Sequence, residues 1–360
     1  MKHFIRSGSR RRSVLRALRF VLLGSTLMGL ATGCISIDLL GGGSGAPLGE
    51  SVVRGSTGPK ILLLDIDGVI SGAQASSNFL GLGRPSMVER VREVLDRASE
   101  DEDVRAILLR IDSPGGTATA SEQIYTEIMR FKERRQVPVV AQLLTTAASG
   151  GYYIALAADT IQAHPTTVTG SIGVIFTSVN FVGLMEKLGV EDQTITAGEF
   201  KDAGSPLRRL TQEERGQIQS IVDDLQARFK QIVAKGRPKL TPEEVAAVAN
   251  GRIYSAPQAL ANGLVDRVGT LEEAVGLIEA RLGVSSSRVV AYHRPNETRR
   301  NLYARAMPGL PMRVLPAMTG QASGAVSPQG LATIGLGSLL RRPGFHYLWW
   351  PGLNGLGAGY

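Results

Sequence analysis

The chain is poor in the residues from which several common scaffolds and sites are built. It has one cysteine among 360 residues, Cys34, so a disulfide framework within a single chain is excluded. It has four histidines, which leaves few candidates for a histidine-based catalytic site. The apolar stretch near the N-terminus, Phe20–Ala31, is too short to span a bilayer comfortably.

Acidic residues are scarce at both ends of the chain. Residues 1–33 carry seven Lys or Arg and no acidic residue, and residues 284–360 carry eight Arg and one acidic residue. Because the net charge of the whole chain is +8, residues 34–283 carry a net charge of −6. The basic charge therefore lies on the terminal segments, and we expect no nucleic-acid partner for the folded part.

Residues 1–33 have the order of an export signal. A basic stretch is followed by an apolar stretch and then by small residues before Cys34, as in a signal peptide. Because it ends at a cysteine, the segment resembles a bacterial lipoprotein signal, in which Cys34 is lipidated and becomes the mature N-terminus. An uncleaved signal anchor and an ordinary cleaved signal remain open. We expect a bacterial cell-envelope protein anchored in a membrane through its N-terminus, with the folded domain outside the cytoplasm.

Composition divides the remaining chain into three parts. Residues 34–59 are rich in glycine and serine and are predicted to be a flexible linker. Residues 60–283 form the predicted folded domain. Residues 284–360 are basic and rich in proline and glycine, and we predict a disordered tail. The alternative is that its arginines and aromatic residues contact a membrane surface or a neighbouring subunit.

Strands and helices alternate in the predicted folded domain. Residues 61–66, 106–111 and 138–144 are apolar runs of strand length. A helix with Ser86 at its N-cap and a second helix over residues 118–134 separate these strands. Strands that are apolar on both faces, joined by helices, indicate a parallel sheet covered by helices. The sequence therefore predicts an α/β fold with a single copy of this core.

Three segments that follow predicted strands carry residues suited to catalysis. In residues 112–116, two glycines leave backbone N–H groups free to bind an oxyanion, although a tight turn explains them equally well. In residues 147–153, Ser149 lies among small residues at a helix start, where it either presents its hydroxyl or caps the helix. Residues 198–206 contain Lys201, and an isolated lysine is usually solvated.

The histidines offer a poor general base for Ser149. His3 and His346 lie in the terminal segments, and His293 lies beyond the predicted domain. His164 follows a predicted strand, and a Ser-His-Asp triad through it remains an alternative. A lysine is the other candidate, because burial lowers the pKa of an amine and favours its neutral, proton-accepting form.

Taken together, the segments resemble one family, the signal peptide peptidase A group of bacterial serine peptidases, in its short form with a single core. The resemblance covers residues 60–283. It is carried by these motifs, in order: Ser113-Pro114-Gly115-Gly116, Ala148-Ser149-Gly150-Gly151-Tyr152-Tyr153, Thr169-Gly170-Ser171-Ile172-Gly173-Val174, Lys201-Asp202 with Ser205-Pro206, Gly251-Arg252-Ile253-Tyr254 and Gly263-Leu264-Val265-Asp266.

The resemblance implies a role for each site residue. It implies that Ser149 is the nucleophile and Lys201 the general base of a Ser-Lys dyad, and that the Ser171 hydroxyl positions the lysine amine. It implies that the N–H groups of Gly116 and Gly150 form the oxyanion hole. It also implies a ClpP/crotonase-like fold, with a parallel sheet flanked by helices.

The resemblance further implies a membrane-associated serine endopeptidase that hydrolyses cleaved signal peptides and other small or unfolded polypeptides through an acyl-enzyme, without a metal or cofactor. Members of the family assemble into homo-oligomeric rings, and whether the serine and lysine of one site come from one subunit or from two neighbours stays open. Two alternatives remain: a crotonase-like acyl-thioester binding or lyase protein, and a noncatalytic membrane scaffold.

Overall fold

A computed structural model describes residues 47–73, 85–294, 297–304, 307–308 and 345–348. The predicted signal segment, Cys34 with its expected lipid, and most of residues 309–360 lie outside the described residues. In the described ranges, no helix combines the length and apolar character needed to cross a bilayer.

The strands in the described part of the chain number fourteen. They are β1 (Gly49–Arg54), β2 (Lys60–Asp67), β3 (Val104–Ser113), β4 (Gly115–Thr117), β5 (Val139–Ala148), β6 (Thr160–Ala163), β7 (Val168–Gly170), β8 (Ile175–Phe176), β9 (Ile253–Ser255), β10 (Arg267–Val268), β11 (Arg288–His293), β12 (Glu297–Thr298), β13 (Met307–Pro308) and β14 (Phe345–Leu348).

The helices in the same ranges are α1 (Met87–Ser99), α2 (Ala118–Arg135), α3 (Gly150–Ala155), α4 (Val182–Leu188), α5 (Gln212–Gly236), α6 (Pro242–Val248), α7 (Ala256–Ala261) and α8 (Leu271–Leu282). Capping boxes begin α1 at Ser86, α5 at Thr211 and α6 at Thr241. In each box the hydroxyl accepts a hydrogen bond from the third helical N–H, and a glutamate accepts one from the backbone N–H of the capping residue, so two otherwise unpaired donors are satisfied.

The main sheet has the strand order β1-β11-β2-β3-β5-β6-β10. All neighbours from β11 to β10 run parallel, and β1 is antiparallel to β11 at one edge. The C-terminal part of β5 pairs instead with β7, which in turn pairs with β9. The prediction of a mainly parallel sheet flanked by helices is confirmed.

The core lies on both faces of this sheet. Along β2, Leu62, Leu64 and Ile66 pack with α1 and α2 on one face. Ile61 and Leu63 pack with α8 on the other. Successive side chains of a strand point to opposite faces, so a strand covered on both sides must be apolar at every position. This explains the continuous apolar run over residues 61–64.

The sheet extends beyond both expected boundaries of the folded domain. β1 lies within residues 34–59, the expected linker, and β11 lies within residues 284–360, the expected tail. The two strands pair with each other, and β11 also pairs with β2. β1 is only partly buried and contains charged residues, so it lacks the continuous apolar run by which the central strands were predicted.

Candidate active site

Ser149 lies at the junction between β5 and α3. Its φ of 53° and ψ of −117° are unusual for a residue with a side chain. Hydrogen bonds hold this backbone: the Ser149 N–H donates to the Gly170 carbonyl at 2.8 Å, and the Tyr153 N–H donates to the Ser149 carbonyl at 2.9 Å. A sharp strand-to-helix turn with such angles presents a serine hydroxyl above the carboxyl edge of the sheet, as in a nucleophile elbow.

The Ser149 side chain does not cap the helix. Its hydroxyl makes no capping hydrogen bond, and it has no hydrogen-bond partner among the described residues although Ser149 is 1% exposed. Buried hydroxyls normally find a partner because an unpaired one costs free energy. The helix-capping interpretation of this serine is therefore wrong for the described chain, and its hydroxyl is available for another role.

The glycine loop after β3 reaches the same place. Gly115 has a φ of 100°, and a Cβ atom built on it would lie 2.8 Å from the Gly150 amide nitrogen. The Gly115 N–H donates to the Ser113 hydroxyl at 3.1 Å, and Gly116 forms a bridge with Ile70. The loop that carries Gly116 and the amide of Gly150 are thus adjacent, beside Ser149. The two predicted oxyanion donors therefore lie on neighbouring segments.

Ser171 lies next to this group. It follows Gly170, whose carbonyl accepts the Ser149 N–H, and it is buried with a φ of 51°. The Ser171 N–H donates to the Arg252 carbonyl at 2.6 Å. Four of the residues predicted from the sequence therefore meet within one chain. They are Ser149, Ser171, Gly116 and Gly150.

Lys201 lies apart from this group. It belongs to a segment that we call the arm, residues 177–210, in which no residue is buried. Lys201 is exposed, and its amine forms no ion pair or hydrogen bond with any described residue. Its neighbour Asp202 is bound to Arg208 at 2.6 and 2.7 Å, and this guanidinium holds the pKa of Asp202 below its usual range. A single chain therefore does not assemble the Ser-Lys dyad.

The arm carries many exposed apolar side chains. Leu188 is 68% exposed and Ile195 is 97% exposed, and the others are Val179, Phe181, Leu184, Val190, Phe200 and Leu207. A contiguous exposed apolar segment of this kind marks an interaction surface.

His164 does not support the alternative triad. Its Nδ1 atom is hydrogen-bonded to the Thr166 hydroxyl at 2.9 Å, within the loop that follows β6. Since the Ser149 hydroxyl has no partner among the residues that the structure describes, no Ser-His pair is formed there. In the described ranges no group of three metal-ligating side chains could hold a metal ion.

A further strand, which the sequence did not predict, lies beside the site. β14 pairs with β4 on one side and β8 on the other, antiparallel to both. The sequence signal was weak, because Phe345–Leu348 is a four-residue segment inside a basic, proline-rich stretch. The alternation of aromatic and polar residues over Phe345, His346 and Tyr347 was the available sign.

Comparison with known proteins places the chain among peptidases. Residues 131–285 match the model of peptidase family S49. A putative signal peptide peptidase SppA of Enterococcus faecium is 36% identical over 245 residues, which cover 68% of this chain and 70% of that one. A putative protease of Synechocystis is 39% identical over 219 residues, which cover 61% of this chain and 73% of that one.

Solved structures with a similar fold include a point mutant of ClpP1 from Listeria monocytogenes. The likeness covers 59% of this chain and 94% of that chain, with 16% identity and a TM-score of 0.37. At this score the likeness adds nothing to what the parallel sheet already shows.

Proposed function

Because this chain belongs to peptidase family S49 and is a serine peptidase of the signal peptide peptidase type, we propose that it is a membrane-associated endopeptidase that hydrolyses signal peptides and other small or unfolded polypeptides. The observation that carries the proposal is the state of Ser149. Its hydroxyl is buried, without a partner in the described chain, and held on a strained turn beside the glycine loop.

The chemistry proposed for Ser149 is acyl transfer. The Ser149 oxygen bonds to the peptide carbonyl carbon while its proton passes to a neutral lysine amine. The amides of Gly116 and Gly150 stabilise the negative oxygen that results. The C–N bond then breaks, the leaving amine takes the proton from the lysine, and water hydrolyses the ester to regenerate the hydroxyl. Each step uses residues of this chain and water alone.

We propose that Lys201 reaches the Ser149 site of a neighbouring copy. Lys201 lies on the exposed arm, and the exposed apolar side chains of the arm favour burial in an interface. Docking on a second copy would bury them and take the lysine amine out of water, which favours its neutral form. A ring built from such head-to-tail contacts gives every copy one complete dyad.

Labelling with a fluorophosphonate tests the nucleophile. We expect the probe to modify Ser149 in the assembled protein, and Ser149→Ala to abolish the labelling. Ser220→Ala, which changes an exposed serine of α5, should leave it intact. Labelling at another serine, or no labelling at all, would contradict the assignment and favour a protein that binds acyl thioesters or a noncatalytic scaffold.

Complementation between two inactive variants tests the sharing of the dyad. Ser149→Ala and Lys201→Ala should each be inactive alone. Assembled together in equal amounts, they should regain about a quarter of the wild-type sites, since random neighbours supply an intact serine and an intact lysine in that fraction. A mixed assembly that stays inactive would show that both residues of a dyad come from the same chain.

We also propose that Cys34 is lipidated and anchors the protein in the bacterial cell envelope. The order of residues 1–34 supports it. Mass analysis of the mature N-terminus tests it: a lipid-modified Cys34 is expected, and an unmodified chain that still contains residues 1–33 would show a signal anchor instead.

A further inference from the structure

The segment that carries Lys201 is a hydrogen-bonded turn within the arm. We call residues 198–206 the lysine turn. At its start the Lys201 N–H donates to the Gly198 carbonyl at 3.1 Å, and at its end the Pro206 carbonyl accepts from the Phe181 N–H at 2.7 Å. Both bonds lie within the arm. They shape the lysine turn, but they do not join it to α5, the long helix that follows.

Arg208 joins the lysine turn to the first turn of α5. Its Nε and Nη2 atoms donate to the Asp202 carboxylate at 2.6 and 2.7 Å. Its Nη1 atom donates to one Glu214 oxygen at 2.9 Å, and Nη2 also donates to the other. Glu214 is the glutamate of the capping box of α5 and accepts from the Thr211 N–H at 2.9 Å. One guanidinium therefore bridges two carboxylates, for which its planar, forked donors are suited.

Glu214 is the buried residue in the first half of α5. It is 2% exposed, whereas all other residues of the range 212–224, which the structure describes in full, are exposed or partly exposed. The bonds from Arg208 hold the pKa values of Asp202 and Glu214 below their usual ranges. A buried ion pair adds little net stability, because the cost of desolvation offsets the attraction. What such a pair can supply is a defined geometry, here between the lysine turn and α5.

Further along, α5 is attached to the turn that contains Ser171. The Gln226 side-chain amide donates to the Ala249 carbonyl at 2.9 Å and to the Ile172 carbonyl at 3.4 Å. Ile172 directly follows Ser171 in the sequence. Beyond Gln226 the helix enters the core, where Ile232 is buried. One part of α5 is therefore fixed beside the active site of its own chain, and its first turn holds the lysine turn.

Asp202 is next to Lys201 in the sequence, yet the two side chains do not pair. Both Asp202 oxygens bind Arg208, and Lys201 forms no ion pair with any described residue. A carboxylate beside an amine favours the protonated amine, whereas a general base must be neutral when it accepts a proton. Arg208 thus occupies a carboxylate that would otherwise be available to Lys201.

We propose that Arg208 is a positioning residue for Lys201, which fixes the lysine turn on α5 and keeps Asp202 from pairing with the lysine amine. The proposal rests on the proposed function, in which Lys201 is the general base for the Ser149 of a neighbouring copy. Arg208 acts through Asp202 and Glu214 and takes no part in the proton transfer itself.

Substitutions on the two sides of the bridge test this role, with the full chain and an unfolded fluorogenic peptide as substrate. Arg208→Gln frees Asp202 to pair with Lys201, so kcat should fall about 10- to 100-fold with KM unchanged. Asp202→Asn breaks the same bridge but leaves no carboxylate beside the lysine, so its loss should be several-fold smaller. Arg215→Gln, at an exposed arginine of α5, is the matched control and should retain wild-type activity. Equal losses in Arg208→Gln and Asp202→Asn would show a bridge that only attaches the turn, and would overturn the proposal.

The double variant gives a readout that mere attachment would not move. Combining Arg208→Gln with Asp202→Asn should raise kcat about tenfold above that of Arg208→Gln alone, because the competing carboxylate is gone. If the bridge served only to attach the turn, removing its second half would restore nothing. A double variant as slow as Arg208→Gln therefore counts against the role proposed for Arg208.

Sedimentation equilibrium and fluorophosphonate labelling separate a failure of the positioning role from a failure of the proposed function. Arg208→Gln should assemble as the wild type does, and loss of assembly would make Arg208 an interface contact instead. If the wild type is labelled at Ser149 and cleaves the peptide, an equally active Arg208→Gln overturns the positioning role and leaves the peptidase proposal standing. A wild-type chain that neither reacts with the probe nor cleaves the peptide overturns both.

Discussion

The backbone of Ser149 is strained, and this conformation keeps its hydroxyl free of local hydrogen bonds. A residue with a side chain held at a φ of 53° and a ψ of −117° costs on the order of 1–3 kcal/mol. Two backbone hydrogen bonds, to Gly170 and from Tyr153, hold it there. In return the hydroxyl does not bond to the helix end and stays free of local partners, which is what a nucleophile requires.

At the same scale, Gly150 tolerates no side chain. A Cβ atom there would lie 2.4 Å from the Ser121 hydroxyl, which donates to the Thr117 carbonyl, and 3.3 Å from the Gly115 Cα atom, so Gly150→Ala must shift these groups or the amide beside Ser149. We expect kcat to fall about 100-fold, the loss typical of a misplaced oxyanion donor, with the fold retained. Steady-state kinetics and far-UV circular dichroism check this.

Two further variants control that experiment. In Gly276→Ala, the added methyl group meets no atom within 4 Å, so α8 should gain roughly 0.5–1 kcal/mol of stability with activity unchanged. Adding Ser121→Ala to Gly150→Ala should recover part of the activity by making room. No recovery would mean that the clash with Ser121 is not the cause.

Among the elements, β11 and the residues after it are tied to the sheet by buried charges. Arg110 binds both carboxylate oxygens of Asp65, at 2.7 and 2.9 Å, and Arg299 binds the same carboxylate. Arg110 also donates to the carbonyls of Leu302 and Ala304. These side chains are nearly inaccessible to water. The ion group therefore fixes residues 299–304, which the composition alone assigned to a disordered tail.

Removing the shared carboxylate tests this anchor. Asp65→Ala leaves two buried guanidinium groups without their partner, and we expect the free energy of unfolding to fall by about 3–5 kcal/mol. Urea unfolding followed by circular dichroism measures it. Glu93→Ala, which breaks a partly exposed pair with Arg294, should cost less than about 1 kcal/mol. Equal losses in the two variants would contradict the anchoring role.

At the scale of the whole molecule, the described chain contains an incomplete catalytic site and an exposed apolar arm. Ser149 and the glycine loop are in place, whereas Lys201 lies on a segment that the chain itself does not cover. Both deficiencies are met if the arm of one copy docks on the next. In that case assembly and catalysis are coupled, and we expect a lone chain to be inactive.

A charge placed on the arm tests this coupling. Leu188 is exposed in the chain, so Leu188→Asp should fold normally but oppose burial of the arm, since an isolated carboxylate is costly to bury. We expect sedimentation equilibrium to show single chains and peptidase activity to be lost. Leu260→Asp, at an exposed leucine of α7, is the matched control. An assembled but inactive Leu188→Asp, or an active monomer, would refute the coupling.

Much of this protein was determined by local sequence. The apolar runs predicted β2, β3 and β5 because strands buried on both faces have few polar positions. Ser86 predicted a helix start because a capping box is contained within four residues. The serine and glycine segments could be placed at one edge of the sheet because the carboxyl ends of parallel strands meet there.

Tertiary structure alone decided the rest. β1 and β11 are far apart in the chain, and β14 is similarly remote from β4, with which it pairs. Such pairings depend on register and on the surfaces available after folding, and they leave no period in the sequence. The contacts among the rings of Tyr153, Phe229 and Tyr347 also need α3, α5 and β14 together. The separation of Lys201 from Ser149 within one chain also depends on tertiary structure, because the spacing of two residues in the sequence does not fix their distance in space.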